Sequence, residues 1–341
     1  MKQLLQYLLI VLAACLLQYA LAAQVTTVGP IGITVSNMNK SVQFYRDVLG
    51  FKKISDTELY GDAYEQLEGI FGLRMRVVRM QLGNEQIELT DYLTSGGRSI
   101  PENAKSNDLI FQHIAIVVSD MDKAYAALRK HMVMHVSTGP QTIPASNTAA
   151  AGVKAFYFHD PDMHNLELIY FPSGKGQPKW QTIKGKLFMG IDHTAIAVSN
   201  TANSLQFYEG LLGIPRKGDS WNMGTEQAHL NFVEGAHLHI TGLRTAAGPG
   251  IEFLEYLTPG PGTPYPADSR TDDIWHWQTR LVTDNVDSLY KKLENAGYRF
   301  ISKGIVPLQT RSGKTIRAFL VRDADGHAML VTGATEKIAD R

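Results

Sequence analysis

Four stretches of the chain follow one plan, and two of them place a histidine early and a glutamate late. These are His113 in QHIAIVVSD with Glu167 in LELIYF, and His193 in DHTAIAVSN with Glu252 in IEFLEYL. Imidazole and carboxylate are the side chains that hold divalent cations and move protons near neutral pH. Around His193 the residues alternate, with His193, Ala195 and Ala197 on one strand face and Thr194, Ile196 and Val198 on the other. The bulky face suits packing against helices, which leaves the histidine among small neighbours on the opposite face. Glu167 is the one charge in an apolar run, and a carboxylate buried alone would cost several kcal/mol or be driven neutral, so it needs a partner.

The elements that position these residues come from a repeat. SVQFYRDVLGF from Ser41 returns as SLQFYEGLLGI from Ser204, and the DPD at Asp160 returns as the DAD at Asp323, both 163 residues later. DYLTSG from Asp91 returns as EYLTPG from Glu255, 164 residues on. A constant offset across separate segments marks duplication of a whole unit. Each unit divides again, because VSN at Val35, VSD at Val118, VSN at Val198 and VTD at Val282 each end an apolar run before a helix-like stretch.

Within a module the pattern reads strand, helix, then three strands. Ser36 and Asn37 can cap a helix whose buried stripe is Met38, Val42, Tyr45 and Leu49, closed by Gly50. Asp120 with Met121, Tyr125 and Leu128, and Asp284 with Val286, Tyr290 and Leu293 before Gly297, repeat that design. The fold class expected is α+β, built from four βαβββ modules. Expected linkers are 95–107, the Gly/Lys/Pro-rich stretch from Pro172, and TPGPGTPYPADS from Thr258.

Composition bounds the function. With 33 basic and 33 acidic residues the formal net charge is zero, so no overall field recruits nucleic acid or an acidic membrane. The first 23 residues read as a signal peptide: one leading lysine, an apolar stretch, and an Ala20-Leu21-Ala22 cleavage pattern. Export to a periplasm or secretion follows, with a lipoprotein anchored at Cys15 or a retained membrane anchor as alternatives. Cys15 is the only cysteine, so a cleaved chain would have no disulfide and no thiolate chemistry.

Four βαβββ modules, the helix signature QFYxxxLG and the closing signature DPDxxxLEL resemble the vicinal oxygen chelate superfamily of glyoxalases, bleomycin resistance proteins and extradiol dioxygenases. The resemblance covers about residues 27 to 334. It implies two glyoxalase-like domains with curved, mainly antiparallel mixed sheets, at 27–172 and 187–334 with a linker at 173–186. It also implies that pairs of modules curl into cups around a divalent metal, with ligands on the first and last strands of each module.

On that pattern the metal ligands would be His113, Glu167, His193 and Glu252, a mixed set suited to Zn, Ni, Mn or Fe(II). The matching positions elsewhere are Pro30, Glu88, Trp277 and Leu330, so modules one and four are depleted unless a bulge lets His276 replace Trp277. If each half closes on itself, one cup holds Glu88, His113 and Glu167 and the other only His193 and Glu252. If modules two and three pair, all four ligands share one cup, and retention in adjacent modules favours this arrangement. A monomer could then be complete through its internal duplication.

Two histidines and two glutamates leave two open metal positions, which favours a glyoxalase I-like lyase or isomerase with Glu167 or Glu252 as the proton-transferring base and a small-molecule substrate. An Fe(II) extradiol dioxygenase, which needs three open positions, and a non-enzymatic binding or resistance protein are the alternatives. His237, His239, Arg74 and Arg76 would orient substrate if they face a cup, or lie on a solvated face if they do not.

Overall fold

The computed structural model describes residues 24–309 and 313–334. The predicted signal segment and Cys15 lie outside the described residues. Module one comprises β1 (Val25–Thr34), α1 (Met38–Asp47), β2 (Lys52–Tyr60), a short α2 (Asp62–Glu68), β3 (Arg74–Leu82) and β4 (Glu85–Tyr92). Module two comprises β5 (Gln112–Val118), α3 (Met121–Lys130), β6 (Gln141–Thr142), β7 (Lys154–His159) and β8 (Asn165–Tyr170). After α4 (Pro178–Thr182), module three runs through β9 (Phe188–Val198), α5 (Thr201–Leu205) continuing as a π-helical turn at Gln206–Leu211, β10 (Arg216–Asn222), α6 (Thr225–Asn231), β11 (His237–Leu243) and β12 (Gly250–Thr258). Module four has β13 (Trp277–Thr283), α7 (Val286–Asn295), β14 (Val306–Gln309), β15 (Thr315–Arg322) and β16 (Ala328–Gly333).

The helices start where short polar side chains can satisfy the first free amides. Asn37 accepts from the Lys40 amide and Asp120 from the Lys123 amide. In module four the cap is Asn285 rather than the expected Asp284, because its side chain is the one that reaches the Ser288 amide.

Two eight-stranded sheets result. One orders β14-β15-β16-β13-β1-β4-β3-β2 and the other β10-β11-β12-β9-β5-β8-β7-β6. First and last strands of a module pair in parallel, the remaining pairs are antiparallel, and modules meet through their first strands, β1 with β13 and β5 with β9. Modules two and three therefore share one sheet, and one and four the other.

The helical faces join different partners. One buried core combines Ile31, Tyr45, Phe51 and Leu89 of module one with Ile116, Leu128, Phe156 and Leu168 of module two, and a second does the same for modules three and four. The four modules thus form a closed ring in which cores and sheet edges alternate. The two repeated signatures meet at the core joints: the Tyr45 hydroxyl donates to Asp160 Oδ2 at 3.2 Å, and the Tyr208 hydroxyl to Asp323 Oδ2 at 2.9 Å. The same aspartates accept from the amides of their own turns, Asp162 and His164 in one case and Asp325 and His327 in the other.

The cup of modules one and four is packed shut. Leu67, Leu320 and Leu330 fill it, and buried Glu68 accepts from the Tyr92 hydroxyl at 3.1 Å. Burial pushes the Glu68 carboxyl up to about 7, against hydrogen bonds from Tyr92 and Gln278 that pull the other way. The folded state then holds a proton that the unfolded chain releases near pH 4.5, so this group lowers stability as pH rises from about 4.5 to 7, by on the order of 3 kcal/mol in all. Glu68→Gln should raise the melting temperature at pH 8 and leave it nearly unchanged at pH 4.5. A difference independent of pH would contradict the assignment.

Candidate metal centre

In the open cup, β5 and β9 run antiparallel with His113 opposite Ala195 and Ala115 opposite His193. β8 sets Glu167 beside Ala115, and β12 sets Glu252 beside Ala195. Each alanine is thus flanked by one histidine and one glutamate, and its small side chain leaves the space between them open. Ile196 and Val198 point the other way, into the core with Phe207 and Tyr208, which fixes the histidine face as the inner one.

All four predicted residues come together. His113 Nε2 lies 3.2 Å from Glu167 Oε2, and His193 Nε2 lies 3.6 Å from both Glu167 Oε2 and Glu252 Oε1. Donor atoms of His113, Glu167 and His193 fall within 4.8 Å of one another. Ligands about 2.0–2.2 Å from a shared ion stand roughly 3–3.6 Å apart, so these separations suit one metal. The buried ring nitrogens agree with that reading: both nitrogens of His113 and Nε2 of His193 have no hydrogen-bond partner among the described residues. A cation between the two Nε2 atoms would take their lone pairs, with the His113 ring proton on Nδ1.

The electrostatics divide the two glutamates. Burial would raise the Glu167 carboxyl, but the adjoining His113 and His193 outweigh it and hold the group below its ordinary range. Burial dominates at Glu252 and raises it, with His193 opposing and Glu167 reinforcing. Burial lowers His113, whereas His193, despite burial, is raised well above its ordinary value by Glu252, Asp192 and Glu167.

Sequence reasoning missed the residues behind His193. Asp192 Oδ2 lies 3.1 Å from His193 Nδ1, which directs Nε2 toward the cluster. The same carboxylate accepts from Trp180 Nε1 at 2.5 Å, Gln177 Nε2 at 2.7 Å and Arg244 Nη2 at 2.9 Å. Trp180 and Gln177 belong to the expected linker, which instead carries α4 and a buried indole. The acidic neighbour in the dipeptide Asp192-His193 was the available signal. Asp192→Asn should weaken metal affinity roughly 10–100-fold, the usual cost of losing an outer-shell carboxylate. Competition with a chromogenic chelator would measure it, and unchanged affinity would remove Asp192 from the centre.

The closed cup confirms the depletion of modules one and four but shifts one position. Gln278, not Trp277, stands opposite Gly32 as His113 stands opposite Ala195, while Trp277 turns into the core. Arg280 is registered with Leu330 as Ala115 is with Glu167. Its guanidinium donates to Glu88 Oε2 at 2.7 Å, and Arg79 holds the other oxygen. An arginine therefore supplies the positive charge beside Glu88. His276 does not replace the lost ligand: it is buried, contacts Gln278 Oε1 at 3.4 Å, and burial pushes it down to about 3.

The wall residues considered from sequence do not face the open cup. His239 stacks on Trp221 at 4.9 Å and pairs with Asp219, while Arg74 and Arg76 pair with Glu58 and Asp56 on an exposed face. On β11 it is Leu238 and Ile240 that point inward, so the odd-numbered His237 and His239 point outward. A cavity of about 300 Å³ opens onto Glu167, His193 and Glu252, and Arg244, Lys175 and Gln227 add polar groups to its wall. A larger cavity of about 400 Å³, bounded by Trp275 and Trp277, contains none of the four predicted residues.

Comparison with known proteins follows the same division. The family model described as Glyoxalase/Bleomycin resistance protein/Dioxygenase superfamily matches residues 27–168 and again 190–331. A 2-epi-5-epi-valiolone epimerase from Actinomyces sp is 29% identical over 151 residues, covering 42% of this chain and 79% of the epimerase. Among solved structures, glyoxalase I from Zea mays superposes with a TM-score of 0.60 at 15% identity, covering 90% of this chain and 92% of the maize chain. A Bacillus subtilis protein described as a dioxygenase candidate gives 0.55 at 15% identity, covering 92% and 86%. At such identities the structural likeness concerns the fold alone.

Proposed function

The chain belongs to the glyoxalase/bleomycin resistance protein/dioxygenase superfamily, and from that premise we propose that it is a metal-dependent isomerase, epimerase or lyase acting on a small oxygenated substrate by proton transfer next to a carbonyl. The observation that carries this reading is the unequal freedom of the two glutamates. The Glu167 side chain is 6% exposed and clamped between two imidazoles; that of Glu252 is 26% exposed, touches only His193 within the cluster, and opens onto the cavity. A base that shuttles a proton needs such freedom and a carboxyl raised toward neutrality.

His113, Glu167, His193 and Glu252 would hold a divalent ion such as Zn, Ni or Mn, which when bound supplies Lewis-acid polarisation of the carbonyl and charge stabilisation of the enediolate. Glu252 takes the proton from the carbon beside the carbonyl as the C–H electron pair shifts toward the carbonyl oxygen. It then returns the proton on the same side to the neighbouring carbon while the hydroxyl proton passes to the former carbonyl oxygen; inversion at the first carbon would instead take its proton from water on the opposite face. Glu167 stays ionised throughout, and Asp192 keeps His193 in one tautomer. Phe111 and Tyr157, whose rings lie 5.5 and 4.9 Å from that of His113, shield the floor of the cup from water. The epimerase relative, which is similar in sequence over one half, supports this class of reaction.

The test is deuterium incorporation. Metal-loaded protein is incubated in heavy water with a panel of 2-hydroxyketones and 2-hydroxyaldehydes, with proton NMR as readout. Wash-in beside the carbonyl supports the assignment, and its absence across the panel with every metal rejects it. The three-member set His113, Glu167 and His193 favours a second reading, since two histidines and one carboxylate form the facial triad of non-haem iron dioxygenases. Oxygen uptake by the Fe(II)-loaded protein on catechols would select it.

We also propose that the protein acts outside the cytoplasm, a reading supported by the signal-peptide pattern of residues 1–23. Mass spectrometry of the protein recovered from its own cells should show a mature chain beginning near Ala22. An intact Met1 terminus would withdraw the export assignment.

A further inference from the structure

Resting on the metal reading above, we propose that the substrate is a monoanion whose carboxylate binds Arg244, with its vicinal oxygens at the metal site and a short apolar body between. The Arg244 side chain lines the cavity and is 22% exposed, and its Nη1, shut off from solvent, has no hydrogen-bond partner among the described residues. The rest of the guanidinium is not free to turn toward another partner, because Nη2 is held by Asp192 through its backbone carbonyl at 3.1 Å and its carboxylate at 2.9 Å. A guanidinium cannot lose its charge, so a buried, unpaired N–H on it calls for an acceptor, and an anionic one most of all.

Comparison of the two cups shows that the arrangement is particular to the open one. Leu243 pairs with Ile251 as Met80 pairs with Ile87, which puts Gln81 at the position of Arg244 and Gln86 at that of Gly250. The same offset puts Gly29 at the position of Asp192. The glycine matters sterically: a Cβ on Gly250 would meet Arg244 Nη2 at 2.9 Å. Asp192, Arg244 and Gly250 thus change together with the metal-site residues.

Charge and shape narrow the ligand. Two ionised glutamates cancel a divalent ion, and Asp192 cancels Arg244. Lys175, which lines the same cavity and donates to the Thr148 and Ala149 carbonyls, leaves one net positive charge. That balance suits a single carboxylate better than a phosphate dianion. Ile143, Val153, Ile169 and Ile240 line the remaining wall, and a cavity of about 300 Å³ is at the small end for ligand sites.

The experiment uses the full protein loaded with Co(II), whose visible spectrum reports both metal occupancy and inner-sphere binding. It is titrated with the monohydroxamates of succinic and glutaric acid and with the uncharged hydroxamates of butyric and valeric acid, which share the chelating head and differ in the terminal carboxylate. At least one acid should bind about tenfold or more tighter than the uncharged compound of equal length, as one charge-assisted hydrogen bond allows. Compared at matched Co(II) occupancy, Arg244→Gln should bring each acid and its uncharged partner of equal length to the same affinity. Gly250→Ala, which crowds the guanidinium without removing its charge, should reduce the preference. Equal binding of acid and uncharged compounds by the unaltered protein overturns the proposal and leaves the metal reading intact. A preference that survives in Arg244→Gln overturns it too. A protein that takes up no Co(II) overturns both.

Discussion

Alanine at either His113 or His193 should strip the protein of its metal, although the two residues lie in different halves of the chain. Each supplies a buried imidazole to one point, and the loss should exceed the roughly 10–100-fold that follows removal of an outer-shell partner. Metal analysis after dialysis, with circular dichroism to confirm folding, reads the result. The physical reason is the β5 and β9 pairing, which sets the two rings with centroids 5.9 Å apart. If the His193→Ala protein kept full occupancy, the shared centre would be wrong even with the fold intact. Glu252, Asp192 and Glu167 raise His193 above its ordinary value, so a metal competes with a proton there and affinity should also fall as the solution is acidified.

The second large effect separates binding from chemistry. Glu252→Gln should keep the metal, since His113, Glu167 and His193 remain, and should lose the exchange reaction by about 10²–10⁴-fold, the usual worth of a positioned acid-base group. Glu167→Gln should lose metal first, because its carboxylate touches both imidazoles. A Glu252→Gln protein with undiminished deuterium exchange would transfer the base role elsewhere. One that loses metal as completely as the histidine variants would make Glu252 a ligand only.

The family relation gives these experiments their frame. It accounts for the paired modules, the mixed sheets and a cup able to hold a divalent ion, while the reaction itself depends on side chains that vary within one fold. In this chain the variation is visible inside a single molecule. The open cup has His113, Glu167, His193 and Glu252 around two alanines, and the closed cup has Gln278, Leu330, Pro30 and Glu88 around Gly32 and Arg280. In the closed cup Arg280 and Arg79 pair with Glu88, beside the apolar cluster of Leu67, Leu320 and Leu330.

Sequence alone determined what is periodic. The 163-residue offset exposed the duplication, strand alternation gave the inward direction of His193, and Asn37 and Asp120 marked helix starts, because each is a local pattern with a local physical cause. Four candidate ligands were legible because a repeat allows one module to be read against another. Ligand retention in modules two and three favoured their sharing a cup, and the tertiary structure decided it, because strand pairing between distant segments is not written in the local pattern of either segment. It likewise corrected Trp277 to Gln278, since a one-residue change of register is invisible in sequence yet turns a side chain to the other face. Asp192, Trp180 and Arg244 emerged only in space. Their role lies in contacts between a linker, the middle of β9 and a loop, and the unpaired nitrogen of Arg244 becomes meaningful only when those contacts are seen to hold its guanidinium beside the cavity.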